Sequence, residues 1–172
     1  MPSQSNPLTA DKVPSTPEQF DIANVIADDL RELGAEDVEV DEHAYVTAHW
    51  PASAGSEDKP CLGFCCHIDT AWQSVGSPVH PEVKHYEGGK LVIGRDRNGR
   101  EVAVSPETNP RLAQMVGYDI VTTDGTSLLG GDDKTGDAAV VSLLARLKAD
   151  PTLAHPRLAV SFVRSEEHTS EL

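Results

Sequence analysis

Apolar residues recur every three or four positions at Ile22, Val25, Ile26, Leu30 and Leu33, the stripe of an amphipathic helix. Thr16, Pro17 and Gln19 match a capping box with proline at the first helical position, and Gly34 stands where a left-handed terminator is wanted. The spacing predicts a helix over 17–33. The period then falls to two: Val38 and Val40, followed by Ala44, Val46 and Ala48, alternate with polar residues around a turn at Asp41 and Glu42, predicting two short strands. A polar loop over 51–60 leads into 62–66, a short unbroken apolar run of the kind buried on both faces of a parallel sheet. Residues 71–109 are rich in proline and glycine and read as a long irregular segment with one short strand over 90–94. A segment of that length carries a function or small elements of its own. One or two helical turns are expected over 111–116, and a strand over 118–122. From Asp137, Ala138, Val141, Leu144 and Ala145 line one helical face that Val140, Leu143 and Leu147 widen, so this helix lies against a sheet. The run 158–163 is a further core strand, completing a strand, helix, strand unit of an α/β fold.

Composition narrows the class. The 172 residues suffice for one domain with a substantial core. A hydrophobic fraction of 38% contains no run long enough to span a membrane, and the start of the chain lacks a charged-then-apolar signal, so the expected location is cytoplasmic. The net charge of −14 opposes binding to nucleic acid or to an anionic membrane, because both would repel it. Cys61, Cys65 and Cys66 are odd in number and clustered, which suits reduced core thiols better than a disulfide framework. The first twelve residues are polar and read as a loop or a loose terminus.

The candidate chemistry begins where the apolar run 62–66 stops at His67 and Asp69. In an extended chain residues two apart share a side, so both would face one cleft at the carboxyl end of the strand. A neutral imidazole ligates zinc well and a nearby carboxylate can fix its tautomer, although a strand end that merely carries His and Asp accounts for so short a pattern too. The second candidate is the glycine-flanked loop 130–136, with Asp132, Asp133 and Lys134 at a helix start. One aspartate there is explained as a helix cap, and the other could turn toward His67 as a ligand for a divalent cation. Asp133-Lys134-Thr135-Gly136 also matches the start of the cation-pump phosphorylation motif, but Asp137 follows where that motif has threonine, and the chain has no phosphate-cradling P-loop. His80 and His85 read as surface histidines.

Two separated stretches carry a resemblance. They are Gly63-Phe64-Cys65-Cys66-His67-Ile68-Asp69-Thr70, and Ile120-Val121-Thr122-Thr123-Asp124-Gly125 continuing through Leu128-Leu129-Gly130-Gly131-Asp132-Asp133-Lys134-Thr135-Gly136. In this order they closely resemble the peptidase T family, the tripeptide aminopeptidases among the di-zinc exopeptidases and amidohydrolases that include carboxypeptidase G and acetylornithine deacetylase. The resemblance covers 13–163. It implies that residues 1–163 are the amino-terminal part of a metallopeptidase catalytic domain, α/β with a mixed, largely parallel sheet flanked by helices and without the family's lid domain. It implies two zinc ions per full-length site. By position, His67 matches a zinc ligand, Asp69 the catalytic aspartate that supports it, and Asp132 the carboxylate that bridges both ions, joined to Asp133 by a peptide that is cis in relatives. Glu166 and Glu167 fall in register as the general base and a further zinc ligand.

The tail 164–172 reads as the translation of a sequencing adapter, without the glycine-containing turn that the family places after its two glutamates. Family chains are more than twice as long and keep further ligands in the remainder. The resemblance thus implies a zinc-dependent aminopeptidase that releases the first residue of tripeptides, with this chain an inactive fragment of it. Its partner would be a small peptide substrate, with no nucleic acid or membrane, and no residue pattern specifies an oligomeric state. Another member of the superfamily, a dipeptidase or N-acyl amino acid deacylase, and a non-enzymatic fragment are the alternatives.

Overall fold

In the computed structural model, which describes residues 2–9, 12–72 and 78–164, the first helix is α1, Gln19–Leu33. Gly34 ends it at φ 97, and its N–H donates to the carbonyls of Leu30 and Arg31, a left-handed closure that glycine adopts without a Cβ penalty. The expected capping box is absent. Thr16 Oγ1 and Gln19 Nε2 both donate to the carbonyl of Gln4, because the segment 2–5 crosses the helix start and competes for them. The buried stripe of α1 is Ala23, Ile26, Ala27 and Leu30, whereas Val25 is exposed. Small side chains at 23 and 27 let the helix approach closely on that side, which rotates the core-facing stripe away from Val25.

Among the described residues the strands are β1 Glu36–Val40, β2 Val46–Trp50, β3 Leu62–His67, β4 Glu82–His85, β5 Leu91–Arg95, β6 Glu101–Val104, β7 Asp119–Thr122 and β8 Leu158–Val163. The second helix is α2, Gly131–Ala149. The chain divides into two units, one spanning Gln73–Leu129 and the other Pro2–Trp72 with Gly130–Leu172.

The larger unit holds α1, α2 and a four-stranded sheet in the order β1-β2-β8-β3. The sheet is mixed, as expected, but parallel pairing is confined to β3 and β8, while β1–β2 and β2–β8 are antiparallel. The strand, helix, strand unit is β3–α2–β8, whereas the strand expected over 118–122 before the helix is β7, which pairs with β4 in a separate sheet. Across β2 and β8, Val46 faces Phe162, Ala48 faces Val160 and Trp50 faces Leu158, all buried in one core with Leu30 of α1 and Leu144 of α2. The apolar run of β3 was expected to be buried on both faces. Instead β3 is an edge strand of this sheet, with Leu62 50% exposed. Hydrophobicity reports how apolar a strand is, not how many neighbours it pairs with. For the same reason the cysteines are not all core: Cys61 and Cys65 are exposed, Cys66 is half-buried, and all three are free.

The polar start of the chain is not loose either. Ser3 and Ser5 are buried, and Gln4 forms a parallel bridge with Thr70 just beyond β3.

The smaller unit shows that 71–109 is less irregular than its composition suggests. It contributes β4, which pairs antiparallel with β7, and the β5–β6 hairpin. The turns expected over 111–116 form a 3-10 helix at Pro110–Met115, and Tyr86, Leu91 and Leu112 make a separate small core. His85 lies on the surface with Nδ1 2.8 Å from Asp119 Oδ1.

Candidate functional site

Strand β3 delivers His67 at its carboxyl end. The imidazole Nδ1 lies 3.1 Å from the carbonyl of Asp69 and 3.3 Å from Asp69 Oδ1, and Nε2 lies 3.1 Å from Asp132 Oδ1. One ring thus stands between two carboxylates of opposite character: Asp69 is 1% exposed, whereas Asp132 is open to solvent. Partial burial lowers the imidazole pKa, but hydrogen bonding to Asp132 and the charge of Asp69 outweigh it, and the net shift is upward. His67, Asp69 and Asp132 therefore come together within the larger unit, 65 residues separating the ring from Asp132 along the chain.

Asp132 reaches this position because the start of α2 is irregular. Asp132 and Asp133 have non-helical dihedrals and the peptide between them is cis. Asp133 turns the other way, and its Oδ1 accepts the N–H of Gly136 at 3.2 Å, the bond of a helix cap. That contact requires glycine: a Cβ at position 136 would lie 2.4 Å from Asp133 Oδ1. The two adjacent aspartates thus divide the work, one capping the helix and one facing His67.

Beneath them lies an ionisable layer, half-buried at Lys134 and Cys66 and buried at Asp137. Lys134 Nζ donates to Ser3 Oγ at 2.6 Å and to the carbonyl of Ile68 at 3.1 Å, and burial lowers its pKa. Asp137 is 5% exposed on the stripe that continues through Val140, Leu144 and Leu147, and neither of its carboxylate oxygens has a hydrogen-bond partner among the described residues. Burial, followed by the charge of Asp133, pushes its pKa up to about 7. The available signal was its spacing, three residues before Val140, on a stripe where Ala138 had been expected and is instead exposed. Cys66 is pushed up to about 11, again chiefly by burial and then by Asp133. Glu166 and Glu167 lie outside the described residues. Among the described residues, no three His, Cys, Asp or Glu side chains converge as a metal cluster. No helix there is long and apolar enough to cross a membrane.

No protein-family model matches the chain. Among solved structures it is similar to the aminopeptidase PepT of Bacillus cereus, with a TM-score of 0.56 and 21% identity over 87% of this chain and 32% of that one. It is also similar to the aminoacylhistidine dipeptidase of Vibrio alginolyticus, with a TM-score of 0.54 and 23% identity over 89% of this chain and 25% of that one. The fold is thus one found in peptidases. In sequence the chain is 41% identical to the peptidase T of an Exiguobacterium strain over 161 residues, and 39% identical to that of Aliivibrio fischeri over 166. These matches take in 93% and 96% of this chain but only 38% and 39% of the relatives. The chain is a homologue of peptidase T over most of its own length, and it spans about two fifths of the relatives it matches.

Proposed function

We propose that this chain carries part of the zinc site of a peptidase T-like aminopeptidase, an enzyme that releases the first residue of tripeptides. The observation that supports it is the placement of His67 Nε2 against Asp132 Oδ1 at 3.1 Å, with Nδ1 backed by the buried Asp69. The donor set suits the metal: an imidazole nitrogen and a carboxylate oxygen are both zinc ligands, and their separation is one that two ligands of a single tetrahedral ion adopt. His67 and Asp132 would hold the ion, and Asp69 keeps Nδ1 engaged so that Nε2 is the ligating atom. When bound, zinc supplies a Lewis acid for the scissile carbonyl and for water. In this reading Glu166 accepts a proton from the attacking water as general base, and Glu167 adds a further ligand. The small peptide substrate and the second zinc belong to the same proposal, as what the resemblance to peptidase T implies, and a cytoplasmic location is proposed with them.

Because the chain spans about two fifths of the relatives it matches, the reading assigns metal binding to this chain and catalysis to a full-length enzyme. Calorimetric titration of the purified chain with zinc chloride tests it. Wild type should take up zinc weakly, and His67→Ala and Asp132→Ala should each abolish the uptake. Equal uptake by all three would refute the site. Metal-dependent tripeptide hydrolysis by the chain itself would refute its role as a partial site, and assays on dipeptides and N-acyl amino acids discriminate the related activities.

A further inference from the structure

The segment 2–5 is pinned beside the end of β3. Thr70 N–H donates to the carbonyl of Ser3 at 3.1 Å, and Ser5 N–H donates to the carbonyl of Thr70 at 3.0 Å, a short parallel ladder. Within it Ser5, 2% exposed, donates its hydroxyl to Asp69 Oδ2. The same hydroxyl oxygen accepts from Gln19 Nε2 at 3.5 Å, which leaves its proton for Asp69. Asp69 Oδ1 then faces His67 Nδ1 at 3.3 Å beside the Asp69 carbonyl at 3.1 Å, and together they compete for the ring proton with Asp132 Oδ1, 3.1 Å from Nε2. A buried carboxylate is stabilised by the donors around it, and one oxygen held by a hydroxyl leaves the other with a defined direction.

We propose that Ser5 is a positioning residue for the His67–Asp69 pair: its hydroxyl orients the Asp69 carboxylate so that the ring proton sits on His67 Nδ1 and Nε2 is left as the lone-pair atom. The inference rests on the reading of His67 as a metal ligand, since only then does the choice of ring nitrogen matter for function. It reaches along the chain from residue 5 to residue 67, and it gives the buried serines of a polar terminus a role that a loose end would not have.

Long-range proton–nitrogen NMR of the His67 ring tests it on the metal-free chain, at about pH 9 where an ordinary imidazole is neutral. Wild type should show the proton on Nδ1. Ser5→Ala should move it toward Nε2, and Ser5→Thr, which keeps the hydroxyl, should restore the wild-type signature. Calorimetry on the same samples should show weaker zinc binding in Ser5→Ala, by up to about tenfold, the lower end of the cost of losing a ligand's own partner, since Ser5 acts through Asp69. Should Ser5→Ala fail to fold by circular dichroism, Ser5→Cys, of similar size with a weak donor, carries the same prediction. A proton that stays on Nδ1 in Ser5→Ala, or that moves equally in Ser5→Thr, overturns the proposal. Failure of the wild-type chain to bind zinc removes the metal reading alone, because the tautomer is read without metal and still decides the role of Ser5.

Discussion

Replacing Asp137 with leucine should stabilise the protein, and more so as pH rises. The carboxylate lies on the core-facing stripe of α2, 5% exposed, with both oxygens lacking a hydrogen-bond partner among the described residues. The charged groups acting on it are Asp133, Lys134, His67 and Asp69, and burial is the largest influence. Its pKa rises from 3.8 to about 7. In the unfolded chain Asp137 releases its proton as pH passes about 4, whereas the folded chain keeps it up to about 7. Between those values folding must hold a proton that the unfolded state gives up, so wild-type stability falls as pH rises and levels off above neutrality. The gap corresponds to at most about 4 kcal/mol, of which nearly 2 is already lost by about pH 5. Leucine removes this dependence and adds an apolar contribution that is the same at every pH. Urea unfolding of both proteins, with midpoints and slopes compared at about pH 5 and pH 8, should show the advantage of Asp137→Leu growing by about 2 to 3 kcal/mol. An advantage of equal size at both pH values, or a loss at the higher one, would mean that the carboxylate is solvated or paired and that the layer beneath His67 is not as described.

Three further outcomes follow from the same region. Lys134→Met should cost about 1 to 3 kcal/mol, since the buried Ser3 hydroxyl and the Ile68 carbonyl both lose a donor; unchanged stability would contradict the amine's place in the network. Gly136→Ala lacks the gain of about 0.5 to 1 kcal/mol usual for such a change inside a helix, because the added Cβ would strike Asp133 Oδ1 and break the cap, so a clearly stabilised variant would refute that contact. Alkylation followed by peptide mapping should modify the exposed Cys61 and Cys65 well before Cys66. Raising the Cys66 pKa from 9.0 to about 11 cuts its thiolate population about a hundredfold near pH 8.5, and labelling of all three at one rate would count against its burial.

Local signals and non-local pairing were not equally legible. Helix α1 and its stop at Gly34 follow from spacing and from one residue's backbone freedom, both properties of a short window. The spacing of His67 and Asp69 is equally local, and so is the glycine-flanked loop 130–136, where Asp133 takes the cap and Asp132 turns toward His67. Strand pairing is different. That β3 is an edge, that β8 takes β3 as its parallel partner, and that β7 joins β4 in a separate ribbon depend on which distant segments meet, and the apolar content of each strand is silent on that.

The polar residues expose the same limit more sharply, and they are the ones that matter around His67. Ser3 and Ser5 read as part of a loop or loose terminus and Asp137 as the residue from which a helix runs, with no local sign of their burial, because burial of a polar side chain is decided by a partner far along the chain. For the serines that partner exists: Ile68 and Asp69 accept their hydroxyl protons, which makes burial favourable. For Asp137 no hydrogen-bond partner is present among the described residues, and the carboxylate holds its proton to about pH 7 instead. The two outcomes bracket His67 from different elements, a terminus that orients its supporting aspartate and a helix that keeps a neighbouring carboxyl neutral below pH 7. Were Asp137 charged at lower pH, it would add to Asp69, Asp132 and Asp133 around one imidazole and hold the ring in its protonated, non-ligating form to still higher pH. A neutral Asp137 beneath the ring thus leaves Asp132 and Asp69 as the groups that raise the His67 pKa.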